Sequence, residues 1–427
     1  MLERMQTLKN MPSLSPDLQR EFWDLYSAVQ ATLKLTEFNI SVGVTDRFMS
    51  ALQNGWDHQL EFPKGTPRST IPAAEVWEKI MRNTWDWAEP GVLFMDRINN
   101  NNNLWYCEEI VATNPCGEQP LPPYGACLLG SFNLTQYVID RGNGRYEFNW
   151  QQFIIDIPIV VEAMDNVIDA SVYPLKEQEV EAKAKRRMGL GVTGAANAIE
   201  LITGQPYGSE AFNIMLANIL RELCYKAYSS SVDLAKRKGS FPMLNKSEYL
   251  RSGFVRRCLP AWLQQRISEH GIRNSHLLSI APTGTISFAA DNISSSIEPV
   301  YSYTQKRLVR YPDGLKEVVV QDYGFAKWGL KGKRTKDVTV DEHLQVLSIA
   351  SHWTDSAVSK TCNVPGDMPW EDFKNVYVKA YKMGCRGCTT FNSGGLRAGI
   401  LQDIDDDEVP EEQTCAFDPV TGRRSCE

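Results

Sequence analysis

Short apolar runs that read as strands alternate along this chain with longer segments of helical period, and that alternation constrains the fold more than any other feature. Helical spacing is clearest in "DLQREFWDLYSAVQATLKL", "FIIDIPIVVEAMDNVIDAS", "SEAFNIMLANILRELCYKAYSSSVDLAKRKG", "DEHLQVLSIASHWTDSAV" and "MPWEDFKNVYVKAYKMG". Several of these begin or end at Ser, Asp, Gly or Pro, residues that cap or stop helices. Between them lie the β-like pieces "FNISVGV", "HLLSIAP" and "CRGCTTFN". Strands separated by helices pair in parallel, so the expected class is α/β with mainly parallel strands. A length of 427 residues leaves room for two or three average domains or for one large α/β barrel. The run Asn99 to Asn103 reads as a turn or loop.

The charge balance narrows the partners. A net charge of −7 gives no general attraction to nucleic acid or to an anionic membrane, so phosphate binding has to come from a local site. The N-terminus lacks the continuous apolar core of a signal peptide and no later run approaches membrane-spanning length, so the expected location is cytoplasmic. Ten cysteines are too sparse for a secreted disulfide scaffold, and in a reducing compartment the chemically interesting ones are catalytic or redox-cycling. The five histidines form no HExxH-like pair, and no metal site is expected from them. From Gln402 to Gln413 the chain turns acidic and poor in apolar residues, which reads as a mobile linker carrying Cys415 and Cys426 at its end.

The segment "ATNPCGEQPLPPYGACLLGSFNL", Ala112 to Leu134, concentrates chemistry. In an extended backbone, side chains two apart point the same way, so Asn114, Cys116 and Glu118 would share a face while Pro115 and Gly117 shape the turn. That face offers an amide, a thiol and a carboxylate, a set able to hold a sugar hydroxyl, take its proton and bring sulfur close. The competing reading is a small buried sulfur in a Pro/Gly turn, and it leaves Glu118 and Asn114 unexplained. Further on, "APTGTIS" follows an apolar strand. Its small residues Pro282, Thr283, Gly284, Thr285 and Ile286 let backbone N–H groups approach a diphosphate, and the Thr283 and Thr285 hydroxyls add donors; the bland alternative is a plain turn.

The cysteine segment resembles the active-site region of ribonucleotide reductase large subunits, most closely the adenosylcobalamin-dependent (class II) type. The resemblance continues through "FNISVGVTDRFM", "RRMGLGVTGAANA", "NSHLLSIAPTGTISFAADNISSSIEPVY" and "MGCRGCTTFNSGGLRAGIL", covering about Phe38 to the C-terminus. It implies the C-terminal portion of a ten-stranded α/β barrel with a flexible tail. By the same resemblance Cys116 becomes a thiyl radical that abstracts the ribose 3′ hydrogen, Glu118 takes the 3′-hydroxyl proton, and Asn114 bonds the substrate. Cys127 is then one of two reducing thiols, 282–286 the substrate-phosphate loop, and Cys415 and Cys426 the shuttle pair that restores the active-site dithiol. A mobile dithiol meets a physical need, because a buried disulfide cannot meet an external reductant of the thioredoxin or glutaredoxin type. A zinc site built from Cys385, Cys388, Cys415 and Cys426 is the rival reading, weakened by the wide spacing of the second pair. The match of Cys388 to the last barrel strand favours its burial, and Cys107, Cys224, Cys258 and Cys362 are read as structural.

Iron-dependent members pass the radical through adjacent tyrosines in the last strand segment, where this chain reads Thr389, Thr390, Phe391. That difference favours adenosylcobalamin as cofactor. No cobalamin-contacting residue is legible. The expected organisation is an unassigned helical segment over 1–35, the barrel portion over 36–401, and linker plus cysteine tail over 402–427. The expected activity is reduction of ribonucleoside di- or triphosphates, with an N-terminal reductase fragment as partner to complete the barrel. A class I chain dependent on an iron-radical subunit, a non-catalytic scaffold half, and a thiol–disulfide oxidoreductase using Cys385 and Cys388 are the alternatives.

Overall fold

Five parallel segments form the backbone of the structure. Leu129–Asn133 pairs in parallel with Gly189–Thr193. Leu190 bridges to Leu278, and Ile280 bridges to Val358, both in parallel. The segment entered at Val358 continues as Thr361–Val364, which pairs in parallel with Gly387–Asn392. Gly387–Asn392 then meets Gly91–Phe94 in antiparallel register, and Gly91–Phe94 pairs in parallel with Ser41–Val44. Among the described residues, Leu129–Asn133 and Ser41–Val44 are the two outer edges of this seven-segment arrangement. This computed structural model describes residues 39–311 and 314–395 throughout. Residues 4, 7–8, 15, 17–18, 20–22 and 24–26 precede them, and 402–403, 416–417 and 424–425 follow.

Helices link successive parallel strands, as the alternation in the sequence requires. Trp150–Ala170 and Lys176–Lys185 return the chain from Leu129–Asn133 to Gly189–Thr193. Ala195–Thr203, Glu210–Lys238 and Ala261–His270 precede the 277–280 segment, and Trp370–Lys382 separates Thr361–Val364 from Gly387–Asn392. Local signals set their ends. The Ser209 hydroxyl accepts from Phe212 N, and the 29-residue helix stops at Gly239. Thr339 and Glu342 form a reciprocal capping box at the start of Val340–Trp353. Every residue of Gly189–Thr193 is buried, as expected of a parallel strand covered on both faces.

Two apolar cores result. One packs Phe153, Ile157, Val161, Leu190, Val192, Leu216, Leu220 and Leu223 together. The other gathers Val44, Phe48, Trp77, Val92, Phe94, Val364, Phe373, Tyr377, Cys362, Cys385 and Cys388 around the antiparallel junction. The chain divides into two compact units, Met1–Ile40 and Ser41–Glu427. In the first, among the described residues, the Arg4 guanidinium donates to both carboxylate oxygens of Glu21.

The structure departs from the sequence reading at two elements. The helix expected to run through Val358 ends at Trp353. Asp355 is pulled onto the sheet instead, its carboxylate accepting from Leu277 N, Leu278 N and the Tyr228 hydroxyl. The asparagine run is not all loop, because Met95–Asn101 is helical. Asn99 closes that helix against a distant turn by exchanging hydrogen bonds with the Ile110 backbone in both directions. The piece "HLLSIAP" does lie in the sheet, with Leu190 N donating to Leu277 O and Ser279 N to Leu190 O on one side, and Ile280 N donating to Ala357 O and Ser359 N to Ile280 O on the other.

Candidate active site

Ala112–Thr113 and Pro120–Leu121 pair as a minimal antiparallel hairpin whose tip is Asn114 to Gln119. The tip is a tight turn, which corrects the extended backbone expected for Asn114, Cys116 and Glu118. Gly117 N donates to Asn114 O at 3.0 Å, and Gly117 sits at φ +80°, a conformation that favours glycine. The Asn114 side-chain oxygen is spent on Gln119 N at 3.0 Å, so its amide nitrogen is the end left for a ligand. Cys116 is exposed at the tip while Glu118 is 2% exposed.

The hairpin is fastened to the sheet through Glu118. Its carbonyl accepts from the Ser279 hydroxyl at 2.8 Å and from Ala357 N at 2.9 Å, two neighbouring parallel segments. The close approach demands small residues beneath the tip. A side chain on Gly189 would overlap the Gln119 amide and Ser279, and one on Gly191 would overlap the Ser279 carbonyl. A Cβ on Gly117 would sit 3.8 Å from the Leu93 side chain, and one on Gly387 would lie 3.2 Å from it, so the tip faces the antiparallel junction as well. One carboxylate oxygen of Glu118 and both ends of the Gln119 amide are buried without a hydrogen-bond partner. Buried polar atoms left unpaired in this way are costly, which marks them as groups awaiting a ligand or water.

Although Cys116 is exposed, the protein packed around it removes part of its hydration and pushes the thiol above its ordinary range, and the nearby Glu118 carboxylate raises it further. Cys127 behaves in the same way: partial loss of hydration and then Glu118 push it to about 11, with Arg187 opposing. Glu118 therefore acts on both sulfurs, which brings Cys116, Glu118 and Cys127 into one electrostatic neighbourhood. Both thiols are held protonated, the opposite of a nucleophilic cysteine with its depressed pKa. Cys127 is exposed just ahead of Leu129–Asn133.

The 282–286 loop follows Ile280 directly. Ser279, which holds Glu118, is three residues from Pro282, a span of about 10 Å in extended chain. Two motifs 161 residues apart in sequence are thereby joined. Gly284, Thr285 and Ile286 are exposed at the start of the short helix Gly284–Ala289, and nothing lies within 4 Å of where a Gly284 side chain would be. The expected role of the Thr283 hydroxyl as a donor is corrected. Thr283 is 7% exposed, and its hydroxyl bonds the Thr193 hydroxyl at 2.8 Å and accepts from Ser296 N at 2.7 Å, which holds the loop with Thr283 at φ +53°.

The remaining cysteines separate by burial. Cys385, Cys388 and Cys362 lie in the second core, with burial pushing Cys385 and Cys362 to about 12 and Cys388 well above its ordinary range. Cys224 and Cys258 are buried, whereas Cys107 is exposed. Cys415 and Cys426 lie outside the described residues, so the shuttle pair and the second half of the zinc reading do too. Residues that sequence reasoning missed lie behind the hairpin. Arg187 donates to Pro120 O and to Glu108, and Lys185 donates to Glu108 at 2.7 Å, all three charged groups almost fully buried. Burial alone would raise the Glu108 carboxyl, but the Arg187 and Lys185 charges outweigh it and leave it below the usual range. The basic run ahead of "GLGVTG" was the available signal.

Comparison with known proteins gives concordant findings. The profile of the family described as "Ribonucleotide reductase, barrel domain" matches residues 20–322 and 330–391. A vitamin B12-dependent ribonucleoside-diphosphate reductase from Mycobacterium tuberculosis is 31% identical over 92% of this chain and 58% of its own length. The protein of the same name from Thermoplasma acidophilum is 30% identical over 86% of this chain and 49% of its own. A vitamin B12-dependent ribonucleotide reductase from Streptomyces coelicolor is 25% identical over 89% of this chain and 46% of its own. The chain thus spans roughly half the length of the curated relatives it matches.

Proposed function

This chain belongs to the ribonucleotide reductase barrel family, and on that premise we propose that it is the C-terminal catalytic portion of an adenosylcobalamin-dependent reductase that converts ribonucleotides to 2′-deoxyribonucleotides. The observation that carries the reading is the pair of hydrogen bonds from Ser279 and Ala357 to the Glu118 carbonyl. They bring an amide, a thiol and a carboxylate to within a nucleotide's length of an open small-residue loop.

In this reading the Gly284, Thr285 and Ile286 backbone N–H groups take the substrate phosphates, and the Asn114 amide nitrogen orients the ribose. Cys116, in its thiyl form, takes the 3′ hydrogen and regains its S–H bond. Glu118 removes the 3′-hydroxyl proton with its unpartnered oxygen, which assists departure of the 2′-hydroxyl as water. Cys127 and a partner thiol from the N-terminal portion supply the two electrons and end as a disulfide. Reduction from outside is assigned to Cys415 and Cys426 and to an external dithiol protein of the thioredoxin or glutaredoxin type. Raised thiol pKa values suit this sequence of steps, since hydrogen-atom transfer uses the S–H bond and not the thiolate.

At the antiparallel junction beside the tip, Gly91 packs closely against the Thr389 and Ser41 side chains and Gly387 against Leu93 and the Val92 carbonyl. When bound, adenosylcobalamin supplies the one-electron chemistry through homolysis of its cobalt–carbon bond. The strand Gly387–Asn392 reads Gly-Cys-Thr-Thr-Phe-Asn and contains no tyrosine. The Tyr377 hydroxyl bonds Thr390 from within the second core. The N-terminal reductase portion is the expected partner, because the arrangement has two outer edges to be paired. The test is nucleotide reduction by this chain mixed with N-terminal reductase fragments, with and without adenosylcobalamin. Turnover that needs an iron-radical subunit instead of cobalamin would move the chain to the class I alternative.

A further inference from the structure

The 282–286 loop is held in a conformation that its own sequence disfavours. Thr283 sits at φ +53°, and so does Ser296, which meets it. A β-branched residue in the left-handed region is costly and persists only where its surroundings fix it. The contacts that do so converge on Thr193, the last residue of the buried strand Gly189–Thr193. Its hydroxyl lies 2.8 Å from the Thr283 hydroxyl, accepts from Ser296 N at 3.1 Å and donates to Ser294 O at 3.3 Å. The arrangement that satisfies every hydroxyl proton runs from Thr283 to Thr193 and from Thr193 to Ser294 O, while Thr283 accepts from Ser296 N at 2.7 Å. Ser294 to Ser296 is itself docked on the start of the following helix. Gly194 N donates to Ser294 O, Ala195 N donates to Ser296 O, and Asn197 Oδ1 accepts from Ser294 N. Thr193 therefore joins a fixed strap to the loop across 90 residues of sequence. It is 4% exposed with its hydroxyl fully engaged, so it can act on a ligand only through the loop.

We propose that Thr193 is a positioning residue for substrate binding, its hydroxyl holding Thr283 in the left-handed conformation in which the 282–286 loop receives the substrate phosphates. The inference rests on the phosphate reading of that loop given above. Without the hydroxyl, Thr283 gains access to the commoner backbone conformations, and the receiving form becomes only a fraction of the population. Apparent affinity for the phosphates then falls by that fraction. The hairpin that carries Asn114, Cys116 and Glu118 is fastened through Ser279 and Ala357 and not through Thr193. Loss of the Thr193 hydroxyl therefore acts on KM and leaves the chemical step of the bound substrate in place.

Equilibrium binding of cytidine 5′-diphosphate and of cytidine to the full chain, complemented with the N-terminal portion, separates phosphate binding from general loosening of the site. Thr193→Val, close to isosteric, should weaken the diphosphate by about tenfold and cytidine by no more than about twofold. Thr193→Ser keeps the hydroxyl and should return the diphosphate to within about threefold of native. In turnover, Thr193→Val should raise KM by about the same tenfold while kcat stays within about twofold. Thr283→Ala removes the hydroxyl at the other end and should reproduce the loss, and it serves if the valine variant does not fold. The double variant should be no weaker than the worse single one, because the two hydroxyls share one bond. Gly284→Val tests the underlying reading, since its side chain enters the open space beside the loop. If Gly284→Val leaves diphosphate affinity unchanged, the loop is not the phosphate site and the role of Thr193 falls with it. If Gly284→Val weakens the diphosphate while Thr193→Val and Thr283→Ala do not, the phosphate reading stands and the positioning role is overturned. Equal weakening of cytidine in Thr193→Val, or a serine variant as weak as the valine one, would overturn that role as well.

Discussion

At the scale of single residues, the chemistry was legible where it is carried by covalent neighbours and hidden where it depends on contacts far along the chain. Asn114, Cys116 and Glu118 stand out because an amide, a thiol and a carboxylate occur within five positions. That Asn114 spends its oxygen on Gln119 N, or Thr283 its hydroxyl on Thr193 and Ser296, follows only from the folded backbone. Glu200 is a second such case. It is 3% exposed, one oxygen accepts from Tyr207 N and Lys333 N, and the other has no partner. Burial lifts its carboxyl to about 7, against about 4.3 for an unfolded glutamate. The folded state thus binds the proton more tightly. Its stabilising contribution is whole below about pH 4.3 and is lost as pH rises through about 7. Urea midpoints should therefore fall between pH 5 and 7.5 for the native chain, and Glu200→Gln should flatten that slope; equal slopes would contradict the assignment.

At the scale of elements, periodicity located the long helices well because each buries a broad stripe, and caps such as Ser209 and Thr339 mark their starts in the sequence. The failures came where a side chain overrides local preference. Asp355 trades a helical continuation for three hydrogen bonds on the sheet, and no local pattern announces that. Two substitutions test the account of the elements. Thr339→Ala removes the capping box at Val340–Trp353 and should cost about 1 kcal/mol by denaturant titration. Gly191→Ala pushes a methyl into the Ser279 carbonyl and should cost about 1–3 kcal/mol or more by the same measurement. A neutral Gly191→Ala would mean that the strand beneath the hairpin is less tightly apposed than described.

At the scale of the whole molecule, the alternation of strand and helix foretold the parallel class. The antiparallel join between Gly387–Asn392 and Gly91–Phe94 was invisible, since it pairs segments nearly 300 residues apart. The outer edges at Leu129–Asn133 and Ser41–Val44 make a prediction of their own. Their unpaired amides should exchange hydrogen rapidly in the isolated chain and become protected when an N-terminal reductase fragment is added; unchanged exchange on mixing would argue against completion of the sheet. The most direct test of the central claim is turnover of ribonucleotide by the complemented chain with adenosylcobalamin, compared between native protein and Cys116→Ser. Cys116 is exposed, so serine should leave the fold intact and reduce deoxyribonucleotide formation to background. Native-level turnover in Cys116→Ser would contradict the account at its base.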